Sequence, residues 1–97
     1  NPKRNGGMIA MELASLHTLA RTEDGSPLWL TYKLLRSRQD RYGILCYVEG
    51  VDHEKAPHTI AAVEDISSSR DRAEALMSRL AQRQVAPAHL QDLIWEL

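Results

Sequence analysis

Residues 59–84 read TIAAVEDISSSRDRAEALMSRLAQRQ, and a change of period inside this stretch decides the fold class. Thr59–Ile66 has the apolar alternation of a strand. It leaves two core sets open: Ile60, Ala62 and Ile66, or Ala61 and Val63. After Ile66 the spacing changes. Ala73, Leu76, Met77, Leu80 and Gln84 recur at intervals of three and four, the stripe of an amphipathic helix from Ser69 to Gln84. Ser67-Ser68-Ser69 offers hydroxyls to the free N–H groups of its first turn, and Ser68 with Asp71 makes a capping-box-like pair.

Upstream, everything reads as strand. Tyr42–Glu49 alternates Tyr42, Ile44, Cys46 and Val48 against Gly43, Leu45, Tyr47 and Glu49. Leu28–Ser37 sets Leu28, Leu30, Tyr32 and Leu34 against Trp29, Thr31, Lys33 and Leu35. Thr22–Ser26 holds Asp24-Gly25, a dipeptide suited to a tight hairpin that needs positive φ. Met8–Arg21 reads as the first strand. A short helix competes there, because Met, Glu, Leu and Ala are good helix formers, but the hairpin signal that follows favours the strand. Downstream, Pro87 suits the first turn of a second helix whose stripe is Leu90, Leu93, Ile94 and Leu97. The expected architecture is α+β: a four-stranded antiparallel meander with two C-terminal helices packed on one face.

A chain of 97 residues buries about two thirds of its surface on folding, enough for one core. Residues 8–97 are therefore read as a single domain. Residues 1–7, with Pro2, Gly6 and Gly7, are read as a flexible N-terminal tail. The chain opens on Asn1, which reads as a processed or trimmed start. Apolar residues make up 43% and charged residues 26%, an ordinary globular composition that excludes wholesale disorder. No apolar run approaches the ~20 residues of a membrane span, and no signal peptide is visible. Cys46 is the only cysteine, so no intrachain disulfide can form, which fits a reducing cytoplasm.

Net charge is −1 but uneven: seven Lys/Arg and four Asp/Glu fall in residues 1–48, five and nine in residues 49–97. A nucleic-acid binder usually carries a strong basic excess. Arg36, Arg38 and Arg41 around one turn are the nearest approach to a phosphate site, and a solvated turn is the preferred reading. Asp52, His53, Glu54 and His58 are metal-ligating types in a polar loop, without a recognised ligand spacing, so no metal and no cofactor is expected. Glu64 and Asp65 are adjacent, so regular strand geometry points them to opposite faces. Phosphate loops, Cys-x-x-Cys pairs and nucleophile elbows are missing from the sequence.

Surplus apolar surface is the strongest functional signal. One helical layer covers one sheet face. The other face would carry Trp29, Thr31, Leu35, Leu45 and Tyr47, and Trp95 points away from the stripe of its own helix. These residues, Thr31 apart, are the candidate interface.

Tyr42-Gly43-Ile44, Val63-Glu64-Asp65-Ile66-Ser67 and Pro87-Ala88-His89-Leu90-Gln91-Asp92-Leu93 together resemble a family of small proteins of Gram-positive bacteria, known as a domain of unknown function. The resemblance spans about residues 28–97. Ala86 and the ending Trp95-Glu96-Leu97 depart from the acidic tail of that family. It implies a bacterial, cytoplasmic protein and brings no activity, cofactor or partner. It draws attention to His89 and Asp92, three apart on a helix, and with Asp65 these form the candidate ligand-binding set. The competing reading has His89 hydrogen-bonded to a backbone carbonyl at the helix junction. The function expected is a non-enzymatic interaction or regulatory module that forms a homodimer or binds a protein partner. An enzyme or ligand-binding protein using His89, Asp92 and Asp65 is the alternative, and nucleic-acid binding through Arg36, Arg38 and Arg41 the weaker one.

Overall fold

The computed structural model describes residues 11–96. The tail read over residues 1–7, the start of the first strand at residues 8–10, and Leu97 lie outside them. Four strands, β1 (Met11–Arg21), β2 (Pro27–Arg36), β3 (Tyr42–Val48) and β4 (Ile60–Ser67), precede two helices, α1 (Arg70–Gln82) and α2 (Leu90–Leu93). The sheet is an antiparallel meander in the order β1-β2-β3-β4. The α+β architecture is the one the period change demands.

The hairpins are set by local chemistry. Between β1 and β2, the Gly25 N–H donates to the Thr22 carbonyl at 2.9 Å, with Gly25 at φ +88°. The Thr22 hydroxyl and the Ser26 N–H both donate to the Asp24 carboxylate and hold it down to about 2, from an ordinary 3.8. Between β2 and β3, Asp40 takes the left-handed conformation, which aspartate tolerates, and accepts from the Arg36 guanidinium.

The core lies between one sheet face and the helices. Leu30, Tyr32 and Leu34 of β2 and Ile44, Cys46 and Val48 of β3 pack beneath Ala73, Met77 and Leu80 of α1 and Leu90 and Ile94 of the C-terminal segment. The Tyr32 hydroxyl donates to the Val85 carbonyl at 2.6 Å, joining the sheet centre to the link between the helices. Burial raises the Tyr32 hydroxyl above its ordinary value and pushes the Cys46 thiol up to about 12, so Cys46 is inert at neutral pH.

Helix α1 is capped by Ser69, not by the expected Ser68–Asp71 pair. The Ser69 hydroxyl accepts from the Arg72 N–H at 3.3 Å, and the Ser67 hydroxyl accepts from the Ser69 N–H at 2.9 Å. At its other end Gln84 adopts φ +54°, and the Val85 and Gln84 N–H groups return to the Leu80 and Ala81 carbonyls. This is a Schellman cap with a glutamine in the position glycine favours. The C-terminal segment is less regular than one helix. Short 3₁₀ turns at Pro87–His89 and Ile94–Glu96 flank α2, and buried Leu90 and Ile94 anchor it.

Two bulges interrupt the expected alternation. In β1 the register shifts between Glu12 and Ala14. Glu12 thus moves to the open face opposite Leu35, while Leu13 joins Ala14 and Leu16 at the core. In β4 the register shifts so that Ile44 pairs with Val63 but Tyr42 pairs with Ser67. Asp65 takes φ +59° inside this bulge. Neither core set read for this strand holds alone: Ala61 and Val63 face the core, and the bulge brings Ile66 to it as well, leaving Ile60 and Ala62 outside. Opposite the bulge sits Gly43. A Cβ there would lie 2.7 Å from the Val63 carbonyl oxygen and 3.0 Å from the Glu64 Cα. The bulge can close on β3 because this residue has no side chain.

Candidate functional site

The sheet face away from the helices is uncovered by any described element. Pairing places His17, Thr31, Tyr47 and Ile60 in one row across the four strands, Ser15, Lys33, Leu45 and Ala62 in the next, and Leu19 beside Trp29. Trp29 is 52% exposed, Leu19 38% and Ile60 37%. Leu35, Leu45 and Tyr47 are half-buried among their neighbours. Trp95 lies elsewhere, on the C-terminal segment, at 64% exposure.

Polar groups on this face satisfy one another. Thr31, fully buried, donates its hydroxyl proton to Glu49 Oε2 at 2.7 Å. Its oxygen therefore accepts from His17 Nδ1 at 2.9 Å, which puts the imidazole proton on Nδ1, where Glu49 Oε2 also lies 3.3 Å away. Lys33 Nζ pairs with Glu12 at 2.9 Å and sits 5.8 Å from the centre of the Tyr47 ring, a cation–π distance. The ammonium is raised in pKa chiefly by its hydrogen bond to Glu12. Tyr47 meets His53 edge-on, centroids 5.6 Å apart, and His53 Nδ1 is bonded to the Thr59 hydroxyl at 2.8 Å. The His17–Thr31–Glu49 cluster has the residue types of a hydrolytic site, but a nucleophile must be reachable by its electrophile, and Thr31 has no exposed surface.

His89, Asp92 and Asp65 are all exposed. No hydrogen bond or ion pair joins any two of them among the described residues. The Asp65 carboxylate takes the Arg41 guanidinium. His89 is fixed through its backbone N–H, which donates to the Ala86 carbonyl at 3.0 Å, rather than through its ring. Glu64 and Asp65 do not point to opposite faces: the bulge turns both into a shallow depression of about 410 Å³ that Ser37, Gln39 and Arg41 also line. Of the three turn arginines, Arg36 is held by Asp40 and Arg41 by Asp65, leaving Arg38. Among the described residues no three His, Cys, Asp or Glu side chains are grouped to hold a metal, and no helix is long and apolar enough to cross a membrane.

Sequence reasoning missed the His17–Thr31–Glu49 cluster. Its signal was the hairpin register, which sets His17 opposite Thr31 and Glu49 diagonal to it. Strand pairing at the β4 bulge sets Tyr42-Gly43-Ile44 against Val63–Ser67, two of the three segments that carry the resemblance. Residues 11–97 match the model of a family of unknown function, DUF6514. The chain belongs to DUF6514. In this DUF6514 chain the glycine of the first segment serves the bulge in the second. No curated protein and no solved structure matches it.

Proposed function

We propose that this chain is a small cytoplasmic bacterial interaction module, without chemistry of its own, that pairs with a second copy through the open sheet face. Trp29 carries the reading: an indole half out in water, flanked by Leu19, with Tyr47, Leu45 and Leu35 on the same face. Uncovered apolar surface of this kind marks partner contacts. Burying the face is made cheaper by polar groups that already satisfy each other, His17 with Thr31 and Glu49, and Lys33 with Glu12. The face also carries both signs of charge, so a twofold copy can set Lys33 against Glu12 or Glu49. Sedimentation equilibrium tests it. A dimer whose dissociation constant rises at least about tenfold in Trp29→Lys is expected, as for loss of an interface anchor. A monomer at millimolar concentration rejects the self-pairing.

A further inference from the structure

A second surface lies on α1. Arg72, Leu76, Arg79 and Arg83 recur at i, i+4, i+7 and i+11, one flank of the helix beside its core stripe. Arg72, Ala75, Leu76 and Arg79 line a shallow dent of about 210 Å³ there. The opposite flank carries its own neutralisation, with Arg70 bonded to Glu74 at 2.7 Å. The basic flank does not. Ala75, Leu76 and Gln82 occupy the positions where helical ion-pair partners would stand, and Arg79 precedes Arg83 by four residues, a like-charge spacing that disfavours the helix. No side-chain partner holds Arg72, Arg79 or Arg83 among the described residues. The helix dipole favours cations at Arg79 and Arg83 but opposes Arg72 in the first turn.

The matching surface is on the same chain. Asp92, Trp95 and Glu96 fall on one side of the C-terminal segment, and all three are exposed. Two carboxylates beside a free indole are the complement of two guanidiniums, Arg72 and Arg79, around a dent: ion pairs form the rim, and the indole meets Leu76 and stacks on arginine. We propose that the Asp92–Trp95–Glu96 face of one copy docks on the Arg72–Leu76–Arg79 flank of α1 of another, a head-to-tail contact separate from the sheet-face pairing. Such a contact is heterologous: each copy keeps one free face of each kind, so association extends into rings or chains instead of stopping at two. It accounts for Trp95, which the sheet-face dimer leaves in water. A contact this small belongs among weak interfaces, below about 1,200 Å² in total, and is screened by salt.

Two half-defective proteins test it, both carrying Trp29→Lys to remove the sheet-face pairing. One adds Arg72→Glu and Arg79→Glu, the other Asp92→Arg and Glu96→Arg; circular dichroism checks that each is folded. In sedimentation velocity at high concentration, the Trp29→Lys parent should associate. Each charge variant alone should be monomeric, and an equimolar mixture should form a one-to-one complex that added salt dissolves. Trp95→Ala should weaken association of the parent at least about tenfold. A monomeric Trp29→Lys parent, or a mixture that stays monomeric, overturns the head-to-tail contact and leaves the sheet-face reading standing. Association that survives Trp29→Lys undiminished and vanishes in the charge variants does the reverse.

Discussion

Replacing Gly43 with alanine is the sharpest test of how β3 and β4 fit together. The new Cβ would lie 2.7 Å from the Val63 carbonyl oxygen and 3.0 Å from the Glu64 Cα, both backbone atoms that cannot swing aside. Relief requires β4 to move away from β3 at the bulge. Overpacking of this kind costs about 1–3 kcal/mol. The stiffer unfolded chain of the alanine variant returns only about 0.4–1 kcal/mol. The net loss then centres on about 1.3 kcal/mol and reaches at most about 2.6 kcal/mol. For a domain this small, each kcal/mol lowers Tm by roughly 4–8 °C. Thermal and urea unfolding followed by circular dichroism give the number. Amide exchange should quicken at Val63–Ser67 before it does at β2. Alanine at Gly43 within about 0.5 kcal/mol of the parent would mean that the bulge does not press on β3, because surface-like substitutions fall in that range.

Other outcomes are equally concrete. Tyr32→Phe leaves the buried Val85 carbonyl with only the weak Cys46 thiol donor at 3.8 Å and should cost about 1–3 kcal/mol in chemical unfolding, with the fold retained. Leu80→Ala should cost about 2–5 kcal/mol, since Leu80 is fully buried on the core side of α1; a loss below about 0.5 kcal/mol would put the wrong helix face inward. The Asp24 carboxyl sits lower in the folded state than in the unfolded chain, so its contribution is present above pH 3.8 and fades as pH falls toward about 2. The Tm gap between the parent and Asp24→Asn should therefore be widest at neutral pH and close on acidification; a gap constant with pH contradicts it.

The fold was readable because its two periods are clean. Alternation through β2 and β3 meets no interruption, so Leu30, Tyr32, Leu34, Ile44 and Cys46 were assigned to the correct face, and Ala73, Met77 and Leu80 follow from helical spacing. Reading failed where the backbone departs from a repeat. A bulge adds residues without changing composition, so alternation gives no sign that Glu12 crosses to the open face and leaves β4 unresolved between two core sets. Asp65 at positive φ lines the same depression as Glu64 and takes the Arg41 guanidinium, which no alternating scheme allows. The open face was legible as surplus apolar residues. Its polar cluster was not, because His17 lies on β1, Thr31 on β2 and Glu49 just past the end of β3, and they meet only when two registers are known. His89, Asp92 and Asp65 are grouped by the resemblance, and no hydrogen bond or ion pair joins them among the described residues: Asp65 goes to Arg41, and His89 is tied by its backbone.

The claim that the open face is a pairing surface is tested most directly by the fluorescence of Trp29 alone. In a Trp95→Phe protein, Trp29 is the only indole, half in water when the chain is monomeric. Emission and iodide quenching would be followed from low micromolar to millimolar protein. Pairing through this face predicts a blue shift and protection from quencher that grow with concentration, and neither change after Leu45→Lys. Emission that stays red and fully quenchable at every concentration would contradict the account.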